Sequence, residues 1–280
     1  MVGSIIDGKQ HAINLRKRIK LATDNLISKY GITPGLAVVL DGNDPASEIY
    51  VRNKGIQTKE AGMESLEFRL PEDTSEEKLL KNVKELNKNQ SVNGILVQFP
   101  VPQHMSQQKI IETILPSKDV DGLHPVNSGY LASGLRGMVP CTPQGSALLI
   151  KETLGDLSGL HAVVLGRSNL VGKPIVQLLL RENCTVTICH SRTKNLKEVC
   201  LSADILVAAV GKANMITKDM VKPGAIIIDV GVNRTSEGLV GDVSTEVKEV
   251  ASQITPVPGG VGPMTVVMLM SNTVKSALEN

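Results

Sequence analysis

Short, unbroken runs of aliphatic and β-branched residues alternate with polar, helix-period segments along most of this chain. In the first half "LAVVL" (36–40) and "GILVQF" (94–99) read as buried strands, because a short apolar run without alternation suits a strand covered on both faces. Between them "TSEEKLLKNVKELNKN" (74–89) has the period of an amphipathic helix, with Thr74 and Glu77 spaced as a capping box. A further helix is predicted over 46–62, where Ile49, Ile56 and Met63 recur at spacing seven and mark its buried line. The second half is more regular. Strands "HAVVL" (161–165), "TVTIC" (185–189), "ILVAAV" (205–210) and "AIIIDVGV" (225–232) are separated by a helix ending near Arg181, a helix near 195–203 and a turn-rich segment.

Alternating strands and helices call for parallel pairing, and right-handed crossovers turn the second half into a doubly wound sheet. "VPCTPQG" (139–145), with two prolines and a glycine, is the expected joint. The predicted fold class is therefore α/β with two domains: an N-terminal α/β domain over 1–140 and a Rossmann-like dinucleotide domain over 141–262, followed by a helix over 263–280.

Composition narrows the functional classes. At 41% apolar and 21% charged the chain is an ordinary globular one, and its net charge of +2 gives no reason to expect nucleic acid or an anionic membrane as partner. Three tyrosines, two phenylalanines and no tryptophan leave little with which to stack bases. Cys141, Cys184, Cys189 and Cys200 form no C-x-x-C, and no histidine stands near them at metal-ligand spacing, so no metal is predicted and buried thiols are expected. The N-terminal residues lack a signal peptide's apolar block, and no apolar run nears the ~20 residues that span a bilayer. A soluble, cytoplasmic protein is expected.

"VVLGRSNLVGKP" lies between a strand and a helix, where a dinucleotide fingerprint belongs. Gly166 fills the first glycine position, Ser168 replaces the second, and Val171 followed by Gly172 stands at the third. A tight turn with no ligand is the alternative reading. In context, the free N–H groups of the following helix offer a phosphate site. At the end of the next strand an NAD site usually has an acid for the ribose hydroxyl. Here "CHSRTKN" has Ser191 and Arg192 instead, with Arg167 a further cation in the loop. Hydroxyl and guanidinium groups bond a 2′-phosphate that a carboxylate would repel. NADP is the cofactor this favours.

The first half carries candidate chemistry. Tyr50 and Lys54, four apart on the predicted helix, share a face that flanks its buried line. They form either a cleft wall or a tyrosine beside a snorkelling lysine. Gln98 ends a predicted strand before Pro100 and Pro102, and ligands gather at such ends. "KDVDGLHP" sets Asp119 and Asp121 in a turn, Asp119 as a cap or a solvated charge and His124 as a structural residue. In "TPVPGGVGPMT" (255–265), Gly259 and Gly260 allow close backbone approach to a ligand or make a rigid connector.

"DPASEIYVRNK", "GILVQFPVP", "KDVDGLHPVNSG", "PCTPQG", "GRSNLVGKP", "GAIIIDVGVNR" and "TPVPGGVGPMTV", in this order, resemble the bifunctional methylenetetrahydrofolate dehydrogenase/cyclohydrolase (FolD) family over nearly the whole chain. Phe99 for leucine and Asp41 for valine are departures. The resemblance implies a homodimer, with the last helix packing back on the first domain, and oxidation of 5,10-methylenetetrahydrofolate with NADP followed by hydrolysis to 10-formyltetrahydrofolate. It implies Tyr50 stacked on the folate ring, Lys54 as acid/base with Gln98 bonded to it, and Asp121 on the pterin N–H donors. Gly166, Arg167, Ser168, Ser191 and Val232 would contact NADP, and Pro258 and Gly259 would border the folate. A monofunctional dehydrogenase, a shikimate-dehydrogenase-like enzyme and a catalytically silent NADP-binding protein are the alternatives.

Overall fold

The computed structural model describes residues 3–42, 45–236 and 238–279, with side chains left undescribed at 45–50. In chain order the elements begin with β1 (Ser4–Ile5), α1 (Gly8–Tyr30), β2 (Gly35–Asp41), α2 (Pro45–Glu60) and β3 (Glu64–Leu70). Next come α3 (Glu76–Lys88), β4 (Gly94–Val97), α4 (Gln107–Thr113), α5 (Pro125–Ala132) and α6 (Cys141–Leu154). The dinucleotide-type segment follows as β5 (His161–Leu165), α7 (Gly172–Arg181), β6 (Thr185–Cys189), α8 (Leu196–Leu201), β7 (Ile205–Ala208) and β8 (Ile226–Asp229). A hairpin of β9 (Asn233–Thr235) and β10 (Gly238–Val240), then β11 (Gln253–Ile254) and α9 (Val261–Glu279), complete the chain. Among the described residues no helix is long and apolar enough to cross a membrane.

The chain forms two compact units, Met1–Ile13 with Pro140–Thr265, and Asn14–Val139 with Val266–Asn280. The division differs from the expected one at the N-terminus. β1 pairs in parallel with β11 (Ser4 with Gln253), and the start of α1 packs so closely on the 259–260 turn that a Cβ on Gly8 would lie 1.8 Å from Gly260 O. Two-residue strands paired across some 250 residues leave no local hydropathy signal.

In the 140–265 unit the sheet order is β1-β11-β8-β7-β5-β6, parallel throughout. β5 lies between β6 and β7, so the chain reverses its direction of travel across the sheet there. Strands β5, β7 and β8 bury nearly every side chain. This explains their unbroken apolar sequence. Cys189 and Cys200 belong to this core, where burial pushes both thiols up, Cys200 to about 12.

The 14–139 unit is a three-stranded parallel sheet, β3-β2-β4, packed on α3 and α4. Helix α3 is capped by Ser75, whose Oγ accepts from Lys78 N at 3.3 Å, and not by Thr74 as the sequence spacing suggested; Thr74 is buried. The last turns of α9 pack on this unit through polar side chains. Asn272 Nδ2 donates to Val120 O at 2.8 Å and Val139 O at 2.9 Å, and Lys275 Nζ donates to Gly137 O at 2.6 Å.

Candidate functional site

In the 14–139 unit the expected chemistry begins on α2. Of the expected buried line, Met63 is buried but Ile56 is 48% exposed, and the Ile49 side chain lies outside the described residues; Val51, Thr58 and Ala61 are buried. Val51, Lys54, Thr58 and Ala61 follow one another at helical spacing, so Lys54 stands on the inward stripe itself. Thr58 escapes the cost of its buried hydroxyl by donating to Lys54 O at 2.8 Å. The Lys54 ammonium donates to Gln98 Oε1 at 2.9 Å. The Tyr50 side chain lies outside the described residues.

Gln98 follows β4 directly. Its N–H continues the ladder to Val39 O at 2.9 Å, while its Nε2 donates to Phe99 O at 2.9 Å. With its carboxamide fixed in this way, Oε1 is the end turned to the lysine, a neutral acceptor that orients the amine without adding charge.

Asp121 is partly exposed, in a turn built by its neighbours. Asp119 is not a solvated charge; it is 2% exposed and accepts from Leu123 N at 3.2 Å, His124 N at 2.8 Å and Asn127 Nδ2 at 2.9 Å. Burial nevertheless raises its pKa, the hydrogen bonds working the other way. His124 caps α5, its Nδ1 accepting from Val126 N. Val120 O is held by Asn272 of α9, so both sides of the Asp121 backbone are anchored.

In the 140–265 unit the carboxyl ends of β5, β6 and β7 surround a cavity of about 450 Å³. It is lined by Gly166, Arg167 and Ser168 after β5, by His190, Ser191 and Thr193 after β6, and by Val210 and Lys212 after β7. This is the switch point where parallel sheets bind ligands. Gly166, at φ +114°, has its Cβ position 2.1 Å from Ala209 O, and a Cβ on Gly172 would lie 2.0 Å from Gly166 O. Only glycine fits either place. Ser168 Oγ accepts from Val171 N at 3.1 Å and Gly172 N at 3.4 Å, so its hydroxyl shapes the start of α7.

Other candidate residues stand outside this lining. Arg192 is not among the lining residues; its N–H turns back to His190 Nδ1 at 3.1 Å. Val232 follows β8, 54% exposed, and is also outside the lining. The room at Gly260 is taken by the chain, a Cβ there meeting Pro256 O at 2.6 Å, while Gly259 is buried with its O accepting from Lys9 N and Pro258 is exposed. Conversely, His190, Thr193 and Lys212 line the cavity and were not singled out. Their positions just past strand ends were the available signal.

A small-residue cradle, two cations and hydroxyls around a cavity at a switch point fit a phosphate-bearing dinucleotide. Comparison with known proteins agrees. The chain matches the tetrahydrofolate dehydrogenase/cyclohydrolase catalytic domain over residues 6–121 and the NAD(P)-binding domain over 140–280. The bifunctional protein FolD of Parvibaculum lavamentivorans is 59% identical, covering 99% of this chain and 96% of that one. The crystal structure of the bifunctional FolD dehydrogenase/cyclohydrolase from Campylobacter jejuni is 46% identical, with a TM-score of 0.96 and 99% of both chains covered. The Trypanosoma brucei enzyme complexed with NADP and an inhibitor is 34% identical, with a TM-score of 0.92 over 99% of this chain and 98% of that one.

Proposed function

The chain belongs to the tetrahydrofolate dehydrogenase/cyclohydrolase family and is an enzyme with both activities, and from that premise we propose how its own residues divide the work. It oxidises 5,10-methylenetetrahydrofolate to the methenyl form with NADP and hydrolyses that product to 10-formyltetrahydrofolate. NADP, when bound, supplies the hydride acceptor. Gly166, Arg167, Ser168, Ser191 and Lys212 would hold it. Arg167 and Ser191 would answer its phosphates, and the glycines would let backbone N–H groups approach them. Arg192 and Val232 remain candidate contacts through the segments that carry them.

The hydrolytic step is assigned to Lys54. Water oxygen bonds to the methenyl carbon, the bond from that carbon to N5 breaks, N5 keeps one proton and one proton passes to solvent. A group beside the carbon must accept the water proton and deliver one to N5. An amine on an inward helix stripe, held at 2.9 Å by the neutral Gln98, is placed for that work. Asp121 can accept two parallel N–H bonds from the pterin, and its anchored turn fixes their direction. Tyr50 would offer the flat ring a face. Pro258 and Gly259 would border the folate. Assembly as a homodimer in the cytoplasm is the expectation for this family; sedimentation of the purified protein tests the first part.

The observation that carries the assignment is the Lys54–Gln98 hydrogen bond. Removing a positioned acid/base costs about 10²–10⁴ in rate. Lys54→Met is therefore expected to lose hydrolysis and to accumulate methenyl product when methylenetetrahydrofolate and NADP are followed by absorbance. Undiminished hydrolysis in that variant would refute the role.

A further inference from the structure

Two buried carboxylates, Asp229 at the end of β8 and Asp242 two residues past β10, take no part in the chemistry above. Asp242 is fully buried, and its two oxygens receive three consecutive backbone N–H groups: Val210 at 2.7 Å, Gly211 at 2.9 Å and Lys212 at 2.8 Å. Asn233 Nδ2 adds a fourth bond at 3.0 Å. Asp229 in turn holds Asp242, accepting from the N–H of Asp242 at 2.9 Å and of Val243 at 3.0 Å. Neither carboxylate has room to move. A Cβ on Gly231 would lie 2.2 Å from Asp242 Cγ, and one on Gly241 would lie 1.7 Å from Asp229 Oδ2.

The loop so gripped is the one that closes the cofactor cavity. Its far end is stitched to the same segment, Asn214 N donating to Gly241 O at 3.1 Å and Ile216 N to Asp242 O at 2.9 Å. Between these fixed ends the chain turns through Gly211, at φ +65°, and sets Lys212 at the cavity, with no acid among the described residues that line it and in company with Ser191 and Thr193. Three converging N–H groups need an acceptor with lone pairs on both oxygens. A carboxylate provides that, and a carboxamide would present its own donors to them.

We propose that Asp242 is a positioning residue of the cofactor cavity: it holds residues 210–212 so that the Lys212 ammonium reads the 2′-phosphate of NADP. The assignment rests on the NADP reading of this cavity. Asp229 and the glycines at 231 and 241 are the frame that keeps Asp242 in place. Lys212 thereby joins Arg167 as a specificity determinant for the phosphorylated cofactor. A lysine that meets phosphate as a point charge separates NADP from NAD by charge alone.

The test is calorimetric titration of NADP and of NAD into the full-length enzyme, with methenyltetrahydrofolate hydrolysis, which consumes no cofactor, measured on the same samples. Loss of one charge-assisted phosphate contact in Lys212→Gln is expected to weaken NADP about tenfold and NAD less than about twofold. Asp242→Asn is expected to weaken NADP at least as much, with hydrolysis within about twofold of wild type. Unchanged NADP affinity in folded Lys212→Gln, equal losses for the two nucleotides, or hydrolysis falling in step with binding in Asp242→Asn would each overturn the proposal. Lys212 is exposed, so its variant keeps the test decisive even where Asp242→Asn does not fold. Wild-type enzyme that binds NADP but hydrolyses no methenylfolate would sink the functional reading and leave this one standing.

Discussion

Asp229 ties pH to stability in a direction opposite to that of most carboxylates. Its side chain is 3% exposed, and although it accepts three backbone N–H bonds, burial first and the neighbouring Asp242 charge second raise its pKa from 3.8 to about 6. The folded state therefore binds a proton that the unfolded chain has already released between pH ~4 and ~6. Stability contributed by this group is fully present below the unfolded pKa and is lost as pH rises through the folded one. With ~1.4 kcal/mol per unit, the difference between the two values corresponds to about 3 kcal/mol. Asp204, whose pKa is lowered chiefly by the Lys222 hydrogen bond, acts in the reverse sense, stabilising above its unfolded pKa and losing that as pH falls. A difference measurement removes such background. Urea unfolding of wild type and Asp229→Asn at pH 4, 5, 6 and 7 is expected to show the wild-type advantage shrinking by about 2 kcal/mol across the series, the remainder being lost already below pH 4. A constant or growing difference would refute the reasoning.

Two further outcomes follow from packing. Gly166→Ala places a Cβ 2.1 Å from Ala209 O in a backbone conformation that disfavours it, so NADP affinity is expected to fall by about tenfold or more in calorimetry, with hydrolysis retained. Asp119→Ala strips an acceptor from two backbone N–H groups and Asn127; urea unfolding should report a loss of about 3–4 kcal/mol, and the KM for folate should rise as the Asp121 turn loosens.

Some of this molecule was written in local sequence. β5 coincides with its predicted strand at both ends, and β7 and β8 lie within theirs, because central parallel strands are covered on both faces and their apolar runs have no other use; β6 also coincides with its prediction, although it is an edge strand with only Cys189 fully buried. The glycine turn after β5 was legible for a similar reason, since a backbone that must pass within van der Waals distance of its neighbour admits no side chain. What failed locally failed for stated causes. β3 is an edge strand whose side chains are at best partly buried, so "ESLEFRL" carries no continuous apolar run, and β1 and β11 exist only through pairing. The inward stripe of α2 is built from Val51, Lys54, Thr58 and Ala61, two of them polar, and hydropathy instead put Ile56, which is 48% exposed, on the buried line.

By itself the sequence determined the α/β architecture, the order of strands along the chain and the residue types that the chemistry requires, because these depend on periodicity and on what each side chain can do. Tertiary structure alone decided which of those residues meet. Parallel register aligns the ends of β5, β6 and β7 and so gathers Arg167, Ser191 and Lys212 around one cavity. Packing of α2 on the sheet brings Lys54 to Gln98, forty-four residues away. Contact across such distances is fixed by the pairing of whole elements, and no local window of the chain contains that information.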